Sequence, residues 1–293
     1  MIRAGIIGGE TEAAGEIIRI LINHPDVTLE WIQSGTLFGK EVCNVHYGLI
    51  GEINLTFVEE IELEDIDCVF VCSDDADITA LEADSELKII DVTGSHYKSA
   101  ETGDIAIGLP ELSRKQIVRQ GRVVTLMSAA TMAIATPLLP LAKAQMIDAP
   151  VSALIRGAGE NYDLSMIVDI IRYFQGQSVP EITVNTSENE ACPRIVSSTI
   201  KIATGITQQQ AQEMFDEYFD DHNFVFTTQR LPAIEDVINT NKLIVNINDE
   251  NGSLTISSLF DKKVKGCAGT AVHAMNLLFG LHERVGLALK ALV

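Results

Sequence analysis

Basic residues are scarce in this chain. Its 293 residues include 21 lysines and arginines against 41 aspartates and glutamates, which gives a formal net charge of −20. Nucleic acids and anionic membranes are bound through basic surfaces, so this balance argues against either one as a general partner. A soft prior of about 150 residues per domain predicts two domains. The 46% hydrophobic content indicates a globular chain rather than a disordered one.

Cysteine supports neither a disulfide framework nor a metal site. The five cysteines are odd in number and scattered, and no pair has Cys-x-x-Cys spacing, so we predict no bound metal. No secretory leader precedes the first apolar run, which makes a reducing cytoplasm the expected location. Cys68 and Cys72 share one face of an apolar run and are predicted to be core residues. Cys192, close to Arg194, is a weak candidate for a reactive thiol.

One long uncharged run raises the question of a membrane span. Val123 to Ala142 is twenty residues without a charge, which is about the length of a spanning helix. The run contains hydroxyl side chains and two prolines, Pro137 and Pro140, and its first four residues resemble a strand. We therefore predict a buried strand followed by a buried helix, and no membrane partner.

The first part of the chain alternates between strand and helix patterns. Apolar runs predict strands at the N-terminus and at residues 27–33, 54–58, 67–72 and 87–92, and helical spacing predicts a helix at 13–23. Several of these strands are apolar on both faces. Such a pattern is typical of an α/β domain with a doubly wound parallel sheet.

The pattern changes after Pro150. Strands are predicted at 151–155, 182–185 and 194–203, with helices at 164–174 and 208–219. The runs 242–248 and 253–259 flank Asn251-Gly252, and Asn-Gly between apolar runs is a strong hairpin signal. The second domain is therefore predicted to be α+β. A last helix is predicted at 268–281.

A glycine-containing turn joins the first strand to the first helix. Glycines in this position usually let backbone N–H groups and a helix dipole face a pyrophosphate. Gly5, Gly8 and Gly9 are present, but Glu10 and Glu12 follow them, and a strict G-x-G-x-x-G is absent. The turn is therefore either a dinucleotide site or only a tight strand-to-helix connection. The second strand ends in Gln33-Ser34, so neither the acidic residue typical of NAD sites nor the arginine typical of NADP sites is there.

Several segments together resemble the N-acetyl-gamma-glutamyl-phosphate reductase family, which is related to aspartate-semialdehyde dehydrogenase. They cover nearly the whole chain and comprise Gly5 to Gln33, Gly39-Lys40-Glu41-Val42, Gly108-Leu109-Pro110-Glu111-Leu112, Asn239-Thr240-Asn241 and Lys265 to Leu277. The resemblance implies a Rossmann domain at 1–128 plus about 265–293, with a C-terminal helix that returns to it. It implies an inserted catalytic and oligomerisation domain at 129–264. It also implies NADP as cofactor and a homo-oligomer, a dimer or tetramer.

The family reduces an acyl phosphate with NADPH through a cysteine thioester, helped by a histidine. The family's Asn-Pro-Gly-Cys segment aligns with residues 126–129, so the nucleophile position holds Ala129. The family's His-x-His motif aligns with Asn161 and Asp163. Arg194 aligns with an arginine near the substrate, although a salt bridge would equally explain it. By resemblance, cofactor contacts are assigned to Gly5, Gly8, Gly9, Thr11, Ser34 and Asn276.

Two functions stay open at this point. The first is a member of the family that has lost acyl-phosphate reduction and acts as a non-catalytic or small-molecule-binding protein. The second is an active NAD(P)-dependent oxidoreductase on a ketone or imine, which needs no thioester but needs a proton donor. His96, which follows a predicted strand at the ligand edge of the sheet, is the leading spare acid or base; Tyr162 and Asp163 are further donors.

Overall fold

The computed structural model describes residues 1–96, 105–176, 179–250 and 252–291. The chain divides into two compact units. The first unit comprises Met1–Met127 and Cys267–Ala288, and the second comprises Ser128–Gly266 with the chain end from Leu289. The first unit is thus built from two separate stretches of chain.

The first unit is built on a seven-stranded sheet with the order β3-β2-β1-β4-β5-β7-β6. All of its strand pairs are parallel, which confirms the predicted doubly wound α/β fold. The strand order reverses between β1 and β4, the place where open α/β sheets bind ligands. The strands are β1 Ile2–Ile7, β2 Val27–Gln33, β3 Phe57–Val58, β4 Cys68–Val71, β5 Lys88–Asp91, β6 Ile105–Ile107 and β7 Val123–Thr125.

Three helices of this unit are α1 Glu12–Leu21, α2 Thr79–Glu82 and α3 Pro110–Gln120. α1 forms as predicted because its apolar residues recur at helical spacing and bury Ile17, Ile18 and Leu21. α3 was not predicted. Its sequence is mostly polar and lacks a clear apolar stripe, and it begins at a proline, which suits the first turn of a helix.

The second unit is built on a six-stranded sheet with the order β11-β12-β13-β10-β8-β9. Its strands are β8 Val151–Arg156, β9 Ile182–Ser187, β10 Ile195–Ala203, β11 Val225–Thr228, β12 Leu243–Glu250 and β13 Ser253–Asp261. β12 and β13 pair antiparallel, which confirms the hairpin; residue 251 of its turn lies outside the described residues. The sheet is mixed, because β9 joins β8 and β11 joins β12 in parallel.

The helices of the second unit are α4 Ala129–Lys143, α5 Leu164–Gln175, α6 Gln208–Phe219 and α7 Ile234–Val237. α4 follows β7 directly and is buried along Ala130 to Ala142, so the uncharged run is a buried strand and a buried helix as predicted. Across the described ranges, no helix has both the length and the apolar character to cross a membrane.

The last helix, α8 Gly269–Leu278, follows a π-helical turn at Val264–Ala268 and belongs to the first unit. It ends three residues earlier than predicted, because Gly280 adopts a left-handed conformation with φ +65°. A buried hydrogen bond of 3.0 Å joins Asn276 Oδ1 to His24 Nε2 at the end of α1. The amide Nδ2 of Asn276 donates to the carbonyl of Val285 at 2.9 Å. Within the first unit, these bonds fix α8 against the residues that follow α1 and against the segment after α8.

Candidate active site and cofactor loop

The predicted nucleophile position lies at the start of a long helix. Ala129 is the first residue of α4, and Ser128 is its N-cap. The hydroxyl oxygen of Ser128 accepts a hydrogen bond from the Thr131 amide at 3.1 Å and donates to the Asn161 carbonyl at 2.5 Å. The N-terminus of a helix is where a cysteine thiolate would be stabilised. Here the side chain is a methyl group.

The predicted histidine positions lie beside the same helix terminus. The backbone N–H of Asp163 donates to Thr131 Oγ1 at 2.9 Å, and the Asn161 carbonyl bonds Ser128. The structure therefore brings Ala129 together with the segment that carries Asn161 and Asp163. Gly266 also approaches closely, since a Cβ added there would lie 3.1 Å from the Cβ of Ala129.

Asp163 is the N-cap of the helix that follows it, α5. Its carboxylate accepts from the Ser165 hydroxyl at 2.7 Å and from the Met166 amide at 2.9 Å, so it caps α5. These two bonds, the Ser165 one foremost, lower the pKa of the Asp163 carboxyl below its ordinary value. Asp163 is therefore ionised at neutral pH, and it is a poor proton donor.

We expect Asp163→Ala to lower the free energy of unfolding by about 0.5–1 kcal/mol at pH 7, towards the small end for a cap because the site is exposed. The native pKa is depressed, so this stabilisation is present above the unfolded pKa and is lost as pH falls through the native one. Urea unfolding at decreasing pH should show the gap between variant and wild type closing below about pH 4. Asp163→Asn, which keeps a capping oxygen, is the control; an equal gap at every pH would contradict the assignment.

Arg194 is held by a buried carboxylate. Its Nε lies 2.6 Å from Asp261 Oδ2, and Asp261 is fully buried. The same carboxylate accepts from the backbone N–H of Asn239 at 2.8 Å, where the chain has φ +61°, and of Lys263 at 2.9 Å. The structure thus gives Arg194 a salt bridge, one of the two roles the sequence allowed; contact with a substrate stays a prediction. The sequence analysis did not predict Asp261 as the partner of Arg194. The one signal for it in the sequence is its position just after an apolar run.

The glycines of the first turn are required by the packing of the protein itself. Gly8 has φ +74°, and a Cβ there would lie 2.7 Å from the Cβ of Ser73. A Cβ on Gly9 would lie 2.2 Å from the Ile32 side chain, and one on Gly5 would lie 2.3 Å from the Trp31 ring. The turn therefore needs glycine even without a ligand.

The backbone of this turn still has the form of an anion cradle. The N–H groups of Gly9 and Thr11 are used internally, by the carbonyls of Gln33 at 2.8 Å and Gly8 at 3.1 Å. Thr11 caps α1 by accepting from the Ala14 amide at 3.2 Å. Among the described residues, the N–H groups of Glu10 and Ala13 have no backbone acceptor outside the helices and strands. Those two donors at the start of α1 fit a phosphate.

The side chains of the same turn do not fit a phosphate. Glu10 and Glu12 place two carboxylates there, and no lysine or arginine occurs between Gly5 and Ile18. His46 Nε2 lies 2.7 Å from the Gly9 carbonyl, and its ring fills the space where Gly15 would carry a Cβ. The backbone N–H groups therefore favour an anion such as phosphate, whereas the two carboxylates oppose it.

The other predicted cofactor residues, Ser34 and Asn276, have structural partners. Ser34 is fully buried, and its hydroxyl accepts from the Leu37 amide at 3.2 Å. Asn276 is fully buried in the bonds described above. Their contact with a cofactor stays a prediction.

His96 follows β5 in the chain, and its ring contacts a residue that packs against the glycine turn. Its Nε2 lies 2.8 Å from the Ser73 carbonyl, and Ser73 is the residue that Gly8 approaches. The fully buried carboxylate of Asp91 holds the loop by accepting from Thr93 Oγ1 at 2.9 Å and from the His96 amide at 3.2 Å. His96 thus lies just beyond the carboxyl end of β5, and its role as an acid or base stays a prediction.

Cys68 and Cys72 are buried and Cys267 is partly buried, and none of the three thiols ionises readily. Burial raises the pKa of the Cys68 and Cys72 thiols well above the ordinary range, and it raises that of Cys267 to about 12. These thiols are therefore poor nucleophiles at neutral pH. In the part of the chain that the structure describes, no group of three or more His, Cys, Asp or Glu side chains could hold a metal ion.

Comparisons with known proteins cover both the sequence and the fold. Residues 3–120 match the family model "Semialdehyde dehydrogenase, NAD binding domain". The chain is 34% identical to N-acetyl-gamma-glutamyl-phosphate reductases of Parabacteroides distasonis and Bacteroides fragilis, over 99% of each chain. Its fold resembles aspartate semialdehyde dehydrogenase II from Vibrio cholerae, with TM-score 0.73 and 13% identity over 96% of this chain and 98% of that one. The Candida albicans aspartate semialdehyde dehydrogenase solved with NADP gives TM-score 0.72 and 14% identity over 95% and 98%.

Proposed function

The chain belongs to the N-acetyl-gamma-glutamyl-phosphate reductase family, and we propose that within this family it has lost the thioester route and acts as a ligand-binding member. The observation that carries the proposal is the methyl group of Ala129 at the N-terminus of α4. Covalent catalysis at this position needs a thiolate that can attack a carbonyl carbon. A methyl group has no lone pair, so no acyl-enzyme forms there.

The groups beside Ala129 support the same proposal. The resemblance assigns proton transfer to the positions of Asn161 and Asp163. An amide such as that of Asn161 neither takes nor gives a proton at neutral pH. Asp163 is committed to capping α5, and the lowered pKa of its carboxyl keeps it ionised. The position of the nucleophile and those of the acid and base have therefore changed together.

A second candidate is an oxidoreductase that transfers hydride without a covalent step. The match of residues 3–120 to an NAD-binding domain favours it. Such an enzyme needs a proton donor near the ligand edge of the sheet. Asp163 is unsuited to this because it is ionised, which leaves His96 at the end of β5 and Tyr162 as the donors to test.

The remaining attributes of the proposal come from the family. NADP is the nucleotide that the resemblance implies, but the carboxylates of Glu10 and Glu12 oppose its binding. A small molecule is the ligand class. We extend the proposal to a homo-oligomer of two or four chains in the cytoplasm. Domain boundaries at 128–129 and near 265 belong to the same proposal.

The test is an assay with NADPH and N-acetyl-γ-glutamyl phosphate, with the Parabacteroides distasonis reductase as the positive control. We expect no NADPH oxidation that depends on the acyl phosphate, and intact-protein mass spectrometry should find no acyl adduct. Robust turnover by this chain would reject the proposal. Turnover of a ketone or imine without an adduct would instead support the second candidate.

A further inference from the structure

Glu10 is the unusual residue of the glycine turn. It lies between Gly9 and Thr11, and its Oε2 atom is buried with no hydrogen-bond partner among the described residues. Leaving a buried carboxylate oxygen unpaired is unfavourable, because the lost hydration is not replaced. A carboxylate that is shielded from water at one oxygen is also screened less than a fully exposed one.

The chain next to Glu10 supplies no cation, since no lysine or arginine occurs between Gly5 and Ile18. Arg19 is the first cation that follows along the chain, and its Nε is paired with Glu16 at 2.9 Å. The N-terminus of α1 attracts anions through its dipole, and Glu12, in the first turn, already supplies one carboxylate there. A diphosphate bound to the N–H groups of Glu10 and Ala13 would add further negative charge beside the Glu10 carboxylate.

Burial determines which of the two carboxylates repels a bound anion more strongly. Glu12 is exposed, so water and salt screen its charge. Glu10 is partly buried, with one oxygen away from solvent, so its charge acts more strongly on a ligand in the turn. Gln in place of Glu10 would keep the size of the side chain and remove the charge.

We infer that Glu10 determines the ligand specificity of the turn: its carboxylate rejects a dinucleotide diphosphate. The glycine turn and the fold are those of a dinucleotide site, and one side chain opposes the negative charge of that ligand. This inference concerns the first unit and stands apart from the proposed loss of chemistry at Ala129.

The experiment is equilibrium binding by isothermal titration calorimetry of NADPH, ADP and adenosine to the wild-type chain, Glu10→Gln and Glu12→Gln. We expect the wild type to show no saturable binding of NADPH or ADP up to about 1 mM. Glu10→Gln should bind both at least about tenfold more tightly, while Glu12→Gln should gain less because its charge is screened. Adenosine, which carries no phosphate, should change by less than about threefold between the proteins.

Three results would overturn the inference. They are micromolar NADPH binding by the wild type, a Glu12→Gln gain equal to that of Glu10→Gln, and the absence of any gain in a folded Glu10→Gln. Circular dichroism and a thermal melt establish that the variants are folded, and Glu10→Ala serves as a second variant should Glu10→Gln unfold. Because the readout is binding, the result is independent of the acyl-phosphate assay.

Discussion

A cysteine substituted for Ala129 should become the most reactive thiol of the protein. The residue starts α4, and the N-terminus of a helix lowers a thiol pKa to about 3.5–7.5. By contrast, burial raises the pKa of the Cys68 and Cys72 thiols well above the ordinary range and that of Cys267 to about 12, so these thiols are hard to ionise at pH 7. We expect iodoacetamide to alkylate the introduced thiol at least about tenfold faster than any native cysteine, as read by peptide mass spectrometry.

The matched control for this prediction is Ala130→Cys. Ala130 is the next residue of the same helix, but it is buried, with 1% exposure. Burial raises a thiol pKa and blocks the reagent, so this variant should label slowly. Equal labelling of the two variants would show that α4 does not activate a thiol at its first position.

The same Ala129→Cys variant should not regain the reductase activity. In the proposed assignment the thiol supplies a nucleophile, but Asn161 and Asp163 occupy the positions of the acid and base, whose contribution is about 10²–10⁴-fold in rate. With the acyl phosphate we therefore expect an adduct of the acyl group on the protein, detected by mass, and turnover at least about 10²-fold below the Parabacteroides distasonis reductase. Turnover within about tenfold of that enzyme would contradict the assignment of the histidine positions.

Asp261→Asn should destabilise the protein strongly. The fully buried carboxylate holds Arg194 and the backbone N–H groups of Asn239 and Lys263. Removing the charge of Asp261 takes from Arg194 its carboxylate partner and from two backbone N–H groups their charged acceptor, and breaking a buried ion pair costs up to about 3–5 kcal/mol. Urea unfolding of the variant should show a loss of this size in the free energy of unfolding.

Asp236→Asn is the comparison for Asp261→Asn. Asp236 also pairs with an arginine, Arg230, at 2.7 Å, but that pair lies at the surface. Water and salt screen an exposed pair, so this variant should be hard to distinguish from wild type. Equal losses of unfolding free energy in the two variants would mean that burial does not determine how much the Arg194–Asp261 ion pair stabilises the protein.

Local patterns in the sequence were enough to predict much of the fold. β2 has the predicted bounds, Val27–Gln33, because a short run of apolar and β-branched residues has few alternatives in an α/β chain. The hairpin of β12 and β13 was marked by its Asn-Gly turn. Ala129 was placed by aligning residues 126–129 with the family's Asn-Pro-Gly-Cys segment, and it is the first residue of α4.

Features that depend on distant residues could not be predicted in this way. Arg194 and Asp261 are 67 positions apart and meet only because β10 pairs with β13. Glu10 was recognised as an acid in the glycine turn, but its inward-facing oxygen depends on the packing around it. α3 has too weak an apolar face to be recognised without its contact with α8.

The hydrogen bond between His24 and Asn276 joins residues 252 positions apart, and this distance matters during synthesis. β1 and α1 are synthesised long before α8, so the first unit lacks one of its helices until residue 278 has been made. Ser128–Gly266, in contrast, is continuous and emerges earlier. Since domains generally fold as units while the chain is being made, the segment in the middle of the sequence is expected to fold first, and the N-terminal sheet has to wait for α8.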